Sequence, residues 1–299
     1  MKKSPSLVFF GNERLSSGFS PNGAPTLETL IAHGYNVKAV VAHHEAAQSR
    51  KARALEIENV AKKHSIPVLL PHKLADIREE LQKYQADAGV LAAYGKIIPQ
   101  SIIDIFPKGI LNIHPSLLPR YRGSTPIEQA ILDGVTETGV SIMSLVKEMD
   151  AGPIYAQTRV SLTGSETKQE LTTKLLGIGG DMVIETLAKV FDDTVKLHPQ
   201  DESQATYTKL IQKNDGIIDT TKPAEQIERE IRAYAGWPKS KLGIFGHTIT
   251  VTKARTAKDN SDGDLVVACN PGWLSIEELI APSGKTMRGA DFIRGYKKD

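Results

Sequence analysis

Asn112 and His114 are the two side chains in this sequence whose types and spacing are best suited to chemistry. They stand two residues apart at the end of an apolar run over residues 109–114, which predicts a buried strand. Side chains two apart on a strand leave the same face of the sheet, and Pro115 ends the strand at once. The sequence therefore predicts an amide and an imidazole side by side at the carboxyl end of a strand. A structural pair that caps a strand end has the same spacing, so both interpretations stay open.

Asp150 is a third candidate, 36 residues after His114. It lies in the segment Met149-Asp150-Ala151-Gly152-Pro153, between strands predicted at residues 139–146 and 153–160. A carboxylate beside an imidazole fixes the orientation of the ring. An Asp-Ala-Gly-Pro segment is also typical of an ordinary turn, so on its own it indicates no function.

The elements that must position these residues alternate along the first two-thirds of the chain. Apolar strand-like runs end near Phe10, Val41, Leu70, Ala93 and His114, and helical patterns separate them. Alternation of this kind predicts a mostly parallel, Rossmann-like sheet covered by helices on both faces. Such sheets bind their ligands at the carboxyl ends of the strands. A long helical pattern over residues 166–190 follows, interrupted by glycines.

The sequence also predicts two domains. Residues 1–197 form the predicted catalytic domain, and the polar, aperiodic stretch 198–212 is interpreted as a linker. Residues 213–299 combine one helical pattern with several short strands separated by turns, which predicts a small OB-like β-barrel.

Composition excludes several classes of protein. The 299 residues are 40% hydrophobic and 24% charged, unlike a disordered chain. The net charge of +2 excludes a polybasic protein, so any nucleic acid must be bound through local patches. Cys269 is the single cysteine, which excludes an internal disulfide and a cysteine zinc site. We expect no membrane contact and a reducing, cytoplasmic setting.

A longer string around the first candidates resembles the folate-dependent formyltransferase family. It reads Asn112-Ile113-His114-Pro115-Ser116-Leu117-Leu118-Pro119, with Asp150 at the matching distance. Residues 118–127, 137–143, 231–234 and 237–238 extend the resemblance over nearly the full length. They are most similar to the members that act on methionyl-tRNA. The resemblance implies an enzyme that moves the formyl group of 10-formyltetrahydrofolate to the amino group of initiator methionyl-tRNA, for translation initiation.

The resemblance also implies roles for individual residues. Asn112 and a protonated His114 would stabilise the oxyanion of formyl transfer, while Asp150 would hold His114 charged and help an ordered water collect the amine proton. The implied folate contacts are Tyr94, Gly95, Lys96, Ile97, Ile98, Ser116, Leu117, Leu118 and Pro119. The implied tRNA contacts are Arg50, Lys51 and Arg53. Lys239 and Lys241 belong to a cluster of basic residues in the C-terminal part, which predicts either further tRNA contacts or ordinary solvated strand edges. No metal is expected, the enzyme is expected to be a monomer, and His43 is expected at the surface.

Three other functions remain open at this stage. A formyltransferase for amino-sugar nucleotides would share the first domain but would not need the basic residues Arg50, Lys51 and Arg53. A folate- or RNA-binding protein without turnover is disfavoured by the presence of Asn112, His114 and Asp150 together. Hydrolysis of the formyl donor is disfavoured by the predicted C-terminal barrel, which that reaction would not use.

Overall fold

A computed structural model describes residues 5–12, 24–43 and 56–297. Contacts divide the chain into two compact units. The first unit comprises Met1–Ser124, Glu137–Ser161 and Thr172–Thr208. The second comprises Thr125–Thr136, Leu162–Leu171 and Lys209–Asp299. The division into domains at residues 197 and 213 stays a prediction about parts that fold independently.

The first unit is built on one sheet. Its strands are β1 (Ser6–Gly11), β2 (Asn36–Val41), β3 (Val68–Leu69), β4 (Ala88–Ala92), β5 (Ile110–His114), β6 (Glu137–Ser144) and β7 (Ile154–Ser161). Their order is β3-β2-β1-β4-β5-β6-β7, with β1 to β5 parallel and with β6 and β7 antiparallel. The prediction of a mostly parallel sheet is confirmed. The run predicted as a strand over residues 66–70 pairs only at Val68 and Leu69.

Five α-helices of the described residues belong to the first unit in whole or in part. They are α1 (Pro25–Ala32), α2 (Glu56–Lys63), α3 (Arg78–Lys83), α4 (Gln100–Ile103), and α6 (Lys168–Phe191), of which the part from Thr172 belongs to the first unit. Apolar side chains of β1 and β4 form a core with residues that follow the strands, among them Phe10, Leu91, Tyr94, Ile98 and Phe106. Their burial fixes the carboxyl ends of the central strands.

Helix α6 runs without a break through the glycines that the sequence pattern presents as interruptions. A Cβ on Gly179 would overlap the Cγ2 atom of Ile113, so this glycine lets the helix approach β5 closely. Gly177, two residues earlier, has no heavy atom within 4 Å of its Cβ position. Because Ile113 alternates with its neighbours on the strand, α6 covers the face opposite Asn112 and His114.

Among its described residues, the second unit contains an antiparallel sheet, three complete α-helices and the first turn of α6. The helices are α5 (Pro126–Asp133), α7 (Ala224–Ala233) and α8 (Gly289–Tyr296). The strands are β8 (Ser240–Ile244), β9 (His247–Ala257), β10 (Val266–Ala268), β11 (Trp273–Ile280) and β12 (Thr286–Arg288). Their order is β10-β11-β9-β8, with β12 also paired to β11. The pairing is antiparallel, and this sheet confirms the prediction of a small OB-like domain.

Helix α5 packs within the second unit although it lies between β5 and β6 in sequence. The Nε of Arg229, on α7, donates to the carbonyl of Leu132, on α5, at 3.0 Å. Lys168 and Glu128 form an ion pair at 2.7 Å. The sequence pattern did not identify this helix, and its packing in the second unit is decided by tertiary contacts.

The segment interpreted as a linker makes regular hydrogen bonds within the first unit as far as Thr208. His198 and Ile154 exchange backbone hydrogen bonds at 2.8 and 2.9 Å. Arg122 donates its backbone N–H to Thr206 and accepts one from Thr208, both at 2.8 Å. The polarity of this segment follows from its position along the edge of the unit, where its side chains bond to neighbouring loops.

Neither a membrane-spanning helix nor a metal-binding cluster occurs among the described residues. In residues 5–12, 24–43 and 56–297, no helix is both long enough and apolar enough to cross a bilayer. The same residues contain no group of three or more His, Cys, Asp or Glu side chains that could hold a metal ion.

Candidate active site

Strand β5 ends in the amide and the imidazole whose spacing predicts a shared face. Asn112 is 5% exposed and His114 is 4% exposed. Asn112 is paired with Leu91 on β4 and with Met143 on β6, while His114 is paired with Ser141 on β6. The predicted shared face at the carboxyl end of the strand is therefore present.

The His114 ring is oriented by contacts at both nitrogens. Its Nε2 donates to the backbone carbonyl of Tyr121 at 2.9 Å, because a carbonyl oxygen can only accept. Its Nδ1 lies 3.8 Å from Oδ2 of Asp150. The ring proton on Nε2 is thus fixed by the backbone, and Nδ1 is the nitrogen that faces the carboxylate.

Asp150 lies in a tightly closed turn after β6. Its backbone has a φ of +48°, in the left-handed region that non-glycine residues seldom adopt. Its Oδ2 accepts the backbone N–H of Gly123 at 2.7 Å. A Cβ on Gly152 would overlap the carbonyl oxygen of Ser144, so only glycine allows the turn to close against the end of β6.

Asn112 has an amide with no hydrogen-bond partner in the described part of the chain. Its cross-strand neighbours Leu91 and Met143 are apolar and buried. Most buried side-chain amides are hydrogen-bonded within the protein, so an amide without a partner among the described residues is a candidate ligand contact. Together, Asn112, His114 and Asp150 place an amide, an imidazole nitrogen and a carboxylate at one edge of the sheet.

The loop after β5 rests on the two antiparallel strands. The Ser116 hydroxyl donates to the Arg120 carbonyl at 2.7 Å, which closes the loop on itself. The Ser141 hydroxyl donates to the Ser116 carbonyl at 2.6 Å and accepts the Leu118 N–H at 3.1 Å. Gln157 donates to the Leu118 carbonyl at 2.8 Å. Among the implied folate contacts, Ser116 is therefore buried and bonded within the protein, while the half-buried Leu117 and Pro119 keep exposed surface.

The segment after β4 is anchored at its ends and open in its middle. Tyr94 is 1% exposed and Ile98 is 4% exposed, and both belong to the core. Burial raises the pKa of the Tyr94 hydroxyl to about 12. Gly95 has a φ of +73°, Lys96 is exposed, and Ile97 is 78% exposed. A ligand at this segment would therefore meet Gly95, Lys96 and Ile97.

His43 is a residue for which the sequence prediction is wrong, because it is 7% exposed rather than on the surface. Its Nε2 donates to the Tyr94 carbonyl at 2.6 Å. Asn12 donates to the His43 carbonyl at 2.9 Å and accepts its N–H at 3.2 Å. Asn12 directly follows β1, and His43 lies two residues after β2, the parallel neighbour of β1 in the sheet. That position at the carboxyl ends of adjacent strands was the available signal. This pair fixes the segment that begins at Tyr94.

The basic residues assigned to tRNA fall into two groups. Lys239 and Lys241 are exposed on the second unit and make no ion pair among the described residues. Nearby, Lys253 pairs with Glu277 at 3.0 Å and Arg255 pairs with Asp262 at 2.8 Å, so their charges are offset. Three other predicted contacts lie outside the described residues: Arg50, Lys51 and Arg53.

Comparison with known proteins gives consistent matches over both units. The family described as "Formyl transferase" matches residues 14–187, and "Formyl transferase, C-terminal domain" matches residues 210–297. The chain is 38% identical over 285 residues to a methionyl-tRNA formyltransferase of Chloroflexus aggregans, covering 90% of this chain and 92% of that protein. It is 39% identical over 298 residues to a methionyl-tRNA formyltransferase of Roseiflexus castenholzii, covering 92% and 95%.

A solved structure shares the fold at low identity. HypX from Aquifex aeolicus in complex with tetrahydrofolic acid superposes with a TM-score of 0.66 and 16% identity. The match covers 98% of this chain and 47% of HypX, so this chain spans about half the length of that protein.

Proposed function

The chain belongs to the formyl transferase family, and from this premise we propose that it transfers a formyl group from a folate donor to the amino group of methionyl-tRNA. Relatives named for this activity match over about nine-tenths of both chains, at 38% and 39% identity. The finer assignment is 10-formyltetrahydrofolate as donor and the initiator form of the tRNA as acceptor. The tetrahydrofolic acid bound to HypX supports a folate donor.

Formyl transfer sets a definite task for the protein. The amine nitrogen forms a bond to the formyl carbon, and the bond from that carbon to the donor nitrogen breaks. Between these events the formyl oxygen carries negative charge, one proton leaves the amine, and one reaches the donor nitrogen. Hydrogen-bond donors aimed at that oxygen lower the barrier, and one such donor contributes about 3–4 kcal/mol.

The single observation that carries the proposal is the contact between His114 and Asp150 beside an unbonded amide. Asn112 supplies its free amide N–H to the formyl oxygen. His114 supplies Nδ1–H, since its Nε2 is held by the Tyr121 carbonyl at 2.9 Å. Asp150, with its Oδ2 atom 3.8 Å from Nδ1, orients the ring and accepts the amine proton through a water.

Two loops flank this site and are proposed to hold the folate. The exposed stretch of Gly95, Lys96 and Ile97 offers backbone groups and an apolar side chain. Leu117 and Pro119 offer apolar surface on the other loop. Both loops are anchored, the first by His43 and the second by Ser141, so binding requires little ordering of the backbone.

Basic residues outside the site are proposed to hold the tRNA. Lys239 and Lys241 are free of ion pairs in the described chain, so their charges are available for phosphates. The proposed contacts before α2 are Arg50, Lys51 and Arg53. Translation takes place in the cytoplasm, so the enzyme is proposed to act there, and to do so as a monomer of 32.6 kDa.

A direct assay tests the proposal. Purified protein is incubated with 10-formyltetrahydrofolate and with charged initiator tRNA, charged elongator tRNA or an amino-sugar nucleotide, and the formylated product is identified by mass spectrometry. Formylation of the charged initiator tRNA is expected. Formylation of the amino-sugar nucleotide alone would replace the proposed substrate, and release of formate alone would indicate a hydrolase.

A pair of variants tests the proposed site. His114→Ala is expected to lower kcat/KM by about 10²–10³-fold, because it removes one donor to the oxyanion. His33→Ala is the matched control, since His33 is exposed and bonds only to the Thr29 carbonyl of its own helix. Equal activity of the two folded variants would contradict the role of His114.

A further inference from the structure

Asp150 is held in an unfavourable backbone conformation by groups far away in sequence. A φ of +48° at a non-glycine residue costs of the order of 1–3 kcal/mol and persists only where neighbours enforce it. Gln200 donates from Nε2 to the carbonyl of Asp150 and to the carbonyl of Gly152, each at 2.7 Å. These two bonds bracket the turn that carries the carboxylate.

Gln200 is in turn fixed by a buried guanidinium. Its Oε1 accepts from Arg122 Nε at 3.1 Å and from Arg122 Nη2 at 2.8 Å. A rotated amide would turn its NH₂ group against the cation, so only one orientation is possible. The Arg122 side chain is fully buried and also donates to Glu202 at 2.7 and 2.9 Å and to the Tyr207 hydroxyl at 3.1 Å. The hydrogen bonds with Glu202 raise the pKa of Arg122 and lower the pKa of Glu202, so both stay charged.

The hydrogen-bonding capacity of Gln200 is used up within the protein. A glutamine amide has two N–H donors and two acceptor lone pairs. Both donors go to the two backbone carbonyls, and both lone pairs go to Arg122. No polar capacity is left for a substrate, so any effect of Gln200 on the reaction must pass through the turn at Asp150.

We propose that Gln200 is a positioning residue that sets the place of the Asp150 carboxylate beside His114, with Arg122 and Glu202 as its anchor. The proposal rests on the role of Asp150 in the proposed function. The Nδ1–Oδ2 separation of 3.8 Å depends on the backbone of Asp150, since its side chain has only two torsions, and on the Gly123 N–H that Oδ2 accepts at 2.7 Å. A displacement of about 1 Å at a reacting group can cost about 10²-fold in rate.

Gln200→Glu separates the two halves of this arrangement. The carboxylate still accepts from Arg122, but it cannot donate to the carbonyls of Asp150 and Gly152. We expect kcat to fall by about 10–100-fold, with KM for the folate donor and for the tRNA within about threefold of the wild type. Gln204→Glu is the matched control, because Gln204 lies in the same segment and donates only to Asp201, at 2.8 Å. The control should retain wild-type kcat.

A double mutant tests whether Gln200 acts through Asp150. Once Asp150→Asn has removed the carboxylate, adding Gln200→Glu should change kcat by less than about threefold. Rate reductions that multiply in full would mean that Gln200 acts independently of Asp150, and an unchanged kcat in the single variant would also overturn the proposal. Gln200→Met, which keeps the length of the side chain, serves if the charged variant fails to fold.

Hydrogen exchange gives a result that does not depend on activity. Backbone amides of residues 150–152 should exchange faster in folded Gln200→Glu than in the wild type, while those of β5 stay protected. If the wild type does not formylate methionyl-tRNA but exchange responds as expected, the proposed function fails while the positioning of the turn stands. If the wild type is active and neither exchange nor kcat responds, the positioning role fails alone.

Discussion

Replacing Asn112 by leucine should separate the stability of this protein from its activity. Leucine has nearly the shape of asparagine but no polar group. The side chain at this position is 5% exposed and lies between Leu91 and Met143 on the neighbouring strands. The change therefore replaces an unbonded amide with an apolar group in apolar surroundings.

The surroundings of the Asn112 amide set the expected changes in the free energy of unfolding and in kcat. A buried polar group without a partner costs about 1–3 kcal/mol, and 5% exposure lets some of that cost be recovered from water. Asn112→Leu should thus raise the free energy of unfolding by about 1 kcal/mol. The same amide is proposed to donate to the formyl oxygen, and removal of one such donor costs about 2.7–4 kcal/mol, or 10²–10³-fold in kcat.

Two measurements check these values together. Urea unfolding gives the change in midpoint at constant slope, and steady-state assays with methionyl-tRNA give kcat and KM. Asn112→Asp is the companion variant, because it keeps the shape but cannot donate and places a charge beside Leu91 and Met143. It should lose both activity and stability.

Either of two results would contradict the proposed role of the Asn112 amide. Near-normal kcat in folded Asn112→Leu would mean that the amide is not a donor to the transition state. A clear loss of stability in Asn112→Leu would mean that the amide has a structural partner, and the strand-capping interpretation of Asn112 and His114 would then be preferred.

Three further predictions concern packing, pH and salt. Gly179→Ala should lower the free energy of unfolding by about 1–3 kcal/mol in urea titrations, because the added Cβ would overlap Ile113. Gly177→Ala, whose Cβ would point into open space, should raise the free energy of unfolding by about 0.5–1 kcal/mol, and equal shifts in the two variants would contradict the close approach of α6 to β5. Hydrogen bonds from Arg122 hold the pKa of Glu202 below its ordinary value of 4.5, so the ion pair stabilises the fold above pH 4.5, and this stabilisation is lost as the pH falls through the lowered pKa. Arg122→Met should abolish this pH dependence in acid unfolding, and an acid profile identical to that of the wild type would show that the ion pair does not contribute to stability. Replacing Arg50, Lys51 or Arg53 with alanine should flatten the slope of log K for tRNA binding against log salt by about 0.9 for each phosphate that is no longer neutralised, while the folate affinity stays unchanged. An unaltered slope would show that other residues hold the tRNA.

Local patterns predicted much of the fold. Continuous apolar runs identified the parallel strands. A strand covered on both faces is apolar at nearly every position, and this can be seen without knowing which strands it pairs with. Short elements were missed: α5, α8 and β12 have eight, eight and three residues. Length alone does not explain this, since α1 and α2 also have eight residues and follow a helical pattern. Helix α5 packs in the second unit, and only tertiary contacts show that.

The glycines of α6 look alike in the sequence but differ in their packing. Sequence reasoning treated Gly177 and Gly179 alike, as residues that weaken a helix. The structure separates them, because Gly179 faces Ile113 across a narrow gap and Gly177 faces open space. Only the packing of the helix on the sheet distinguishes a required glycine from a tolerated one.

The sequence by itself determined that Asn112 and His114 share a face at the end of a strand, because the period of a strand is local and Pro115 ends it. The tertiary structure alone decided how the site is held. Arg122, Asp150 and Gln200 are far apart in sequence. Gln200 bonds to both of the others, and this contact depends on how three loops pack. No local period records that arrangement, since hydrogen bonds between distant loops are selected by the fold as a whole.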